Sequence, residues 1–413
     1  MDITSKTFLT VLKSALLGES ADCGRELLPQ ELQKLFEMAQ IHQLLPMFYE
    51  ALYQRIRKEE LPAAAAVKQQ VMRQVMRQTI KTSEFFALNR NLQASGVKPL
   101  VVKGIICRNL YPKPDLRASG DEDILIPPAQ FAACHEVLTA FGMQTTTKAD
   151  TLAAAYEVPY RKAESPLYIE LHKHLFPPEA EAYADLNRFF DGVFERAVEV
   201  DIQGNRVYTM EYTDHLFYLI CHAYKHFLHS GFGIRQVCDI IMFANRYGSQ
   251  IDWLCILKNC REIRADRFAA AIFQIGRKYL TFDPEMAAWP REWRGIDVDE
   301  TALLEDLLSG GLYGDANLSR KHSSNMTLAA VAAQKQGSKT KNGVLASAFP
   351  PADKLERRYP YLKKRPYLLP VAWCDRLWKY SRETRNTVQN STADTLRIGN
   401  ERIALLKQYG ILE

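Results

Sequence analysis

The stretch KGIICRNLYPKPDLRASGDEDILI, Lys103 to Ile126, separates the fold classes open to this chain. An apolar run, Leu100-Val101-Val102, leads into it, and a second, Ile124-Leu125-Ile126, closes it. Between them lie a Lys103-Gly104 step, a loop marked by Pro112 and Pro114, and the acidic triplet Asp121-Glu122-Asp123. Short apolar runs bounded by turn residues predict strands over 99–103 and 121–126, with a short helix over 105–110. Side chains at i and i+2 of a strand share a face, so Asp121 and Asp123 are expected side by side at the mouth of the second strand. Carboxylates that close repel unless a cation lies between them. Oxygen-only ligands suit Mg²⁺, which takes one or two carboxylates plus substrate phosphates.

Working outward, 128–141 is expected as a helix, and 156–161, 167–172 and 207–210 as further strands. In 167–172, Glu170 and His172 alternate with Ile169 and Leu171 and so share a face. Glu170 is a third carboxylate on a neighbouring strand, enough to complete a two-metal cage. The flanks read differently. Residues 4–95 carry helical periodicity and end at Gly96 and Pro99. Helices are again expected over 214–229, 235–247, 253–261 and 264–279, and near 396–408. These patterns predict an α/β or α+β catalytic domain over 96–210, set between a helical region over 1–95, a helical domain closing the cleft over 211–300 and a helical tail over 301–413.

The bulk properties are those of a globular chain. Of 413 residues, 47% are hydrophobic and 24% charged, and no apolar run reaches the length of a membrane span. The N-terminal segment carries Asp2, Lys6 and Lys13 within its apolar rhythm, which predicts an amphipathic helix rather than a secretory signal. A net charge of +5 suits a polyphosphate ligand without demanding nucleic acid. The eight cysteines show no CxxC spacing, which fits a reducing cytoplasm.

Lys-Gly, the aromatic-Pro loop, Arg117, the acidic pair and Glu170-Leu171-His172 together resemble the nucleotidyltransferase superfamily, with its polymerase-β-like fold. More narrowly they are similar to its bacterial branch of uncharacterised nucleotidyltransferases. The resemblance implies transfer of a nucleotidyl group from a nucleoside triphosphate to an acceptor hydroxyl, with pyrophosphate released. By the same resemblance Gly104 is the turn that opens a triphosphate-cradling helix, and Asp121, Asp123 and Glu170 hold two Mg²⁺ ions, or Mn²⁺ in their place. The superfamily's usual Gly-Gly or Gly-Ser is here Lys103-Gly104-Ile105, so Lys103 is expected to meet the triphosphate as a point charge. Glu122 stands where an apolar residue is usual. It must reach solvent or pair with a base, and Arg117 is a candidate for that partner as well as for a phosphate clamp. The implied acceptor is a protein, a sugar or a small molecule.

Histidines form a second pattern. His222 and His226 stack at i, i+4, with His229 near the helix end, and His172 and His174 are i, i+2 on a strand. Four of these could build a zinc site. The resemblance instead puts His222, His226, Arg235 and Asp239 along the cleft opposite the acids, toward the nucleotide or acceptor, and His172 is expected to bind the nucleotide as well. A basic aromatic tail includes Arg357, Arg358, Lys363, Lys364, Arg365, Tyr359, Tyr361 and Tyr367. Such interleaving can bind RNA, but Pro360, Pro366 and Pro370 argue for an arm packed on the body, with Trp373, Leu377 and Trp378 on one buried helix face. Two other function classes stay open: a histidine-dependent zinc or manganese hydrolase, and a non-catalytic nucleotide-binding or interaction protein.

Overall fold

A computed structural model describes residues 1–59, 62–311, 318–336, 352–355, 359–375, 378 and 392–413. The fold is α+β, with a seven-stranded mixed sheet flanked by helices. The strands are β1 (Leu100–Val102), β2 (Glu122–Leu125), β3 (Met143–Gln144), β4 (Glu157–Lys162), β5 (Tyr168–His172), β6 (Val198–Ile202) and β7 (Asn205–Thr209). Their order is β3-β4-β5-β2-β1-β7-β6. β2 runs antiparallel to β1 and parallel to β5, and β1 runs parallel to β7. The two central strands are buried along their whole length, which is why they read as short apolar runs.

Two strands, β3 and β6, arise where none was expected. The alternating Val198-Glu199-Val200-Asp201-Ile202 pairs with β7 through a tight Gln203-Gly204 turn. The second strand of the acidic stretch is also two residues shorter than expected, one at each end. Asp121 stands just before β2, because its carbonyl accepts from Lys81 Nζ at 3.0 Å instead of entering the ladder. The expected 128–141 helix splits into a 3₁₀ turn, Pro128–Gln130, and a helix, Phe131–Ala140.

The chain divides into two units, Met1–Ala223 with Ile234–Leu304, and Tyr224–Gly233 with Glu305–Glu413. The first holds the whole sheet. Its N-terminal helices are α1 (Ile3–Leu17), α2 (Pro29–Ile41), α3 (Leu45–Glu59) and the long α4 (Pro62–Ala94). A five-residue helix, α5 (Gly104–Arg108), follows β1. Helices Tyr212–Leu228 and Ile234–Tyr247 come after the sheet, and Trp253, Phe273, Trp289 and Trp293 pack an aromatic core behind them.

The second unit is organised around two arginines and one carboxylate. Asp306 accepts from Arg320 at 2.7 Å and lies 3.3 Å from Arg402. Both guanidiniums also donate to backbone carbonyls at the end of the Tyr212–Leu228 helix, Arg402 to Phe227 and Arg320 to Ser230. The last carbonyls of an α-helix lack an i+4 donor, and cations are stabilised at that end of its dipole. Leu355, Tyr359, Leu362 and Ala372 form a small apolar cluster with Trp373 packed against it. Trp378, expected on the same buried face, is 60% exposed. Arg357, Arg358 and Leu377 lie outside the described residues. No helix among the described residues is long and apolar enough to cross a membrane.

Candidate functional site

Strand register assembles the site. In the parallel β2–β5 pair, Asp123 stands opposite Glu170 and Leu125 opposite His172. Directly paired residues share a face, and so do Glu170 and His172 at i, i+2. Asp123, Glu170 and His172 therefore converge, with one ligand atom from each lying within 4.8 Å of the others. Among the described residues this is the group of three such side chains gathered closely enough to hold a metal ion.

The electrostatics of the triad are those of a cation site. His172 Nε2 is 3.1 Å from Asp123 Oδ1 and 3.8 Å from Glu170 Oε2. Burial alone would raise the Asp123 carboxyl, but the charge of Lys103 and the His172 contact hold it well below the usual carboxylate range. Glu170 goes the other way. Burial, then the charges of Asp123, Asp121 and Glu157, push its carboxyl up to about 8. A carboxylate beside three others ionises with difficulty unless a cation joins them. Two carboxylates and an imidazole in this arrangement fit a divalent metal.

Asp121 is outside the triad but half-exposed beside it, close enough for its charge to act on Glu170. Lys103 Nζ lies 3.0 Å from Asp123 Oδ2 and 3.0 Å from His222 Nε2. The lysine backbone is strained, with φ 64° and ψ −125°. A buried histidine, His215, holds it there. Thr209 Oγ1 donates to the Val101 carbonyl, so its oxygen accepts from His215 Nδ1–H at 3.1 Å. His215 Nε2 is then left to accept the Lys103 N–H at 3.2 Å. Burial and the charge of Lys103 lower this imidazole to about 3, which keeps it in the neutral form that the arrangement requires.

Glu122 faces away from the triad and is fully buried. Its partners are Arg108, Lys81 at 3.2 Å and the Ile105 N–H at 2.7 Å, rather than Arg117. Burial works against its charge, but Arg108 and Lys81 prevail and lower its carboxyl. Glu122 thus occupies an amide at the start of α5, the helix expected to cradle the triphosphate. Gly104 is required at that point. Its φ is +37°, and a Cβ there would overlap the Glu122 carboxylate.

The remaining expected residues hold the proline loop. Arg117 is buried and pairs with Asp239, with Nε 3.1 Å from Oδ1, while Tyr111 donates to the same oxygen at 2.8 Å. Arg235 donates to the Ala118 carbonyl at 2.6 Å and to Gln43 at 2.8 Å. From α4, Gln78 accepts the Ser119 N–H at 3.0 Å and Lys81 donates to Ser119 Oγ at 2.9 Å. This frame ends at Asp121. His226 and His229 belong to the second unit, and neither they nor His174 and His222 are in the triad; of the five histidines considered for zinc, His172 alone joins the acids.

Sequence reasoning missed Lys81, Arg108, His215 and Glu157. His215 and His222 stand seven residues apart on one helix, a spacing that returns to the same face. Glu157 opposes His172 in the antiparallel β4–β5 ladder. Lys81 gave no signal, because a lysine in a long helix is normally solvated.

A family model described as an uncharacterised nucleotidyltransferase matches residues 29–281. No curated protein matches the chain. Among solved structures, an antigenic nucleotidyltransferase-like protein from Paracoccidioides brasiliensis is similar at 13% identity and a TM-score of 0.29, over 51% of this chain and 95% of that one.

Proposed function

The chain belongs to the uncharacterised nucleotidyltransferase family, and on that premise we propose that it moves a nucleoside monophosphate from a nucleoside triphosphate to an acceptor hydroxyl. The observation that carries this reading is the convergence of Asp123, Glu170 and His172 beside Asp121 and Lys103. Asp121, Asp123 and Glu170 would hold the divalent metal. When bound, such ions neutralise the triphosphate and lower the pKa of a coordinated hydroxyl.

The protein's own groups do the rest. Lys103 moves from Asp123 to the phosphates and balances charge that develops there. The acceptor oxygen attacks the α-phosphorus, the bond to the bridging oxygen breaks, and pyrophosphate leaves in line. Glu170 receives the acceptor proton at a carboxylate oxygen. His222 sits against Lys103 and steers its ammonium. Arg117, Arg235 and Asp239 act at one remove, by fixing the loop that carries Asp121. The acceptor is a protein side chain, a sugar or a small molecule.

The test is incubation with each α-labelled nucleoside triphosphate, Mg²⁺ or Mn²⁺ and cell lysate. Label should pass to one acceptor class, and Asp121→Ala and Asp123→Ala should abolish it; retained transfer sinks the assignment. One observation favours a second reading. Glu122 already holds the Ile105 amide, which a triphosphate cradle would need free. Tight triphosphate binding without pyrophosphate release across candidate acceptors would establish a nucleotide-binding protein that does not turn over.

A further inference from the structure

We propose that His172 is itself a metal ligand, oriented by Glu157, and that this nitrogen makes the centre select a transition-metal ion such as Mn²⁺ over Mg²⁺. The proposal rests on the metal reading above and specifies its chemistry. His172 is 4% exposed, and its Nε2 faces both carboxylates of the triad. Its Nδ1 is buried with no hydrogen-bond partner, and Glu157 Oε2 lies 3.7 Å from it across the β4–β5 ladder.

That is the layout of a carboxylate–histidine–metal relay. A ligating imidazole presents one nitrogen to the ion and donates its other N–H to a carboxylate, which fixes tautomer and ring orientation. A small closure brings Glu157 within hydrogen-bonding distance of Nδ1–H. With Nδ1 donating to Glu157, Nε2 is the nitrogen that would join the Asp123 and Glu170 oxygens as a donor. Phosphate recognition explains this placement less well, because the imidazole is buried between carboxylates. Its effect on the ion follows from donor softness. Mg²⁺ demands oxygen and gives up water reluctantly, whereas imidazole suits later divalent ions. Mn²⁺ accepts both donor types and keeps open positions for phosphate oxygens.

The experiment uses Mn²⁺ alone as probe on the full chain, with free Mn²⁺ read by electron paramagnetic resonance and Mg²⁺ as competitor. Wild-type protein should bind Mn²⁺ at least about thirtyfold more tightly than Mg²⁺. Bound Mn²⁺ should show nitrogen modulation in its electron spin-echo envelope. His172→Asp should remove that modulation and bring the two affinities within a few-fold of each other. Glu157→Gln should weaken Mn²⁺ binding about tenfold. A merely structural role for His172 would lower both affinities together and leave their ratio unchanged. The wild-type spectrum needs no variant to fold: bound Mn²⁺ without nitrogen modulation overturns the proposal and leaves the metal reading standing. Failure of wild-type protein to bind either ion, with or without triphosphate, overturns the metal reading itself.

Discussion

Glu122 and Asp123 are adjacent carboxylates on one strand, yet they belong to two different regions. Asp123 points to the triad face, where its neighbours are a histidine, another carboxylate and a lysine that retains some exposure. Glu122 points to the opposite face, into a fully buried network of Arg108, Lys81 and the Ile105 amide. Both are ionised, but for different ends. Glu122 has matched partners that complete its coordination, and a group satisfied in that way stabilises a structure. Asp123 sits in an excess of negative charge that raises Glu170. Strand alternation alone separates the carboxylate of the buried network from the carboxylate of the triad.

Breaking that pair gives the largest expected effects. Glu122→Ala should cost about 3–5 kcal/mol, because it strands two buried cations. Urea unfolding measures this, and a loss below about 1 kcal/mol would mean that Arg108 and Lys81 reach water without it. Asp123→Asn should be its complement. Stability should fall much less, while nucleotidyl transfer drops about 10³-fold or more. Metal-dependent stabilisation in a thermal melt should disappear with it. If the two variants behaved alike, the division between the faces would be wrong.

Gly104→Ala gives a middle-sized effect and tests the join between the regions. The new methyl group needs a left-handed φ and overlaps the Glu122 carboxylate. Unfolding measurements should show a loss of about 1–3 kcal/mol. Since α5 follows Lys103, the same variant should also weaken triphosphate binding. Unchanged triphosphate affinity alongside lowered stability would separate the turn from the ligand.

The sheet centre and the acids were legible because each signal was local. Apolar runs gave β1 and β2, and period-two alternation put Glu170 and His172 on one face. What distance in sequence hid was the set of partners. Lys81 reaches Glu122 from a helix about forty residues earlier, and Asp239 meets Arg117 from more than a hundred residues later. A charge pattern says that a buried acid needs a base, but only the fold chooses which one. This is why Arg117 was considered for Glu122 when Arg108 was already four residues along the same short helix from Gly104. The pattern around His172 fits a zinc or a phosphate group equally, since alternation gives a face and not the identity of what shares it. The local pattern keeps Asp121 on the strand, because only the fold shows that Lys81 holds its carbonyl.

The smallest expected effect is a pH dependence, and it tests whether Glu170 belongs with Asp123. Its folded-state carboxyl is raised from an ordinary 4.5 to about 8. Between those values the folded metal-free protein binds a proton that the unfolded chain has lost. That contribution to stability is complete below about pH 4.5 and is lost as pH rises through about 8. Metal-free protein should therefore melt at a lower temperature as pH rises from about 6.5 to 7.5. The loss should be about 1 kcal/mol, since one proton sets a ceiling of roughly 1.4 kcal/mol per unit. Saturating Mn²⁺ should flatten the slope, because the ion takes the proton's place. For the same reason metal affinity should strengthen by up to about tenfold per pH unit over this range and level off above about pH 8. Glu170→Gln should remove the slope in the metal-free protein, while Glu122→Gln should not, whatever its cost in stability. A slope that survives Glu170→Gln would move the shared proton elsewhere and leave Asp123 without its carboxylate partner.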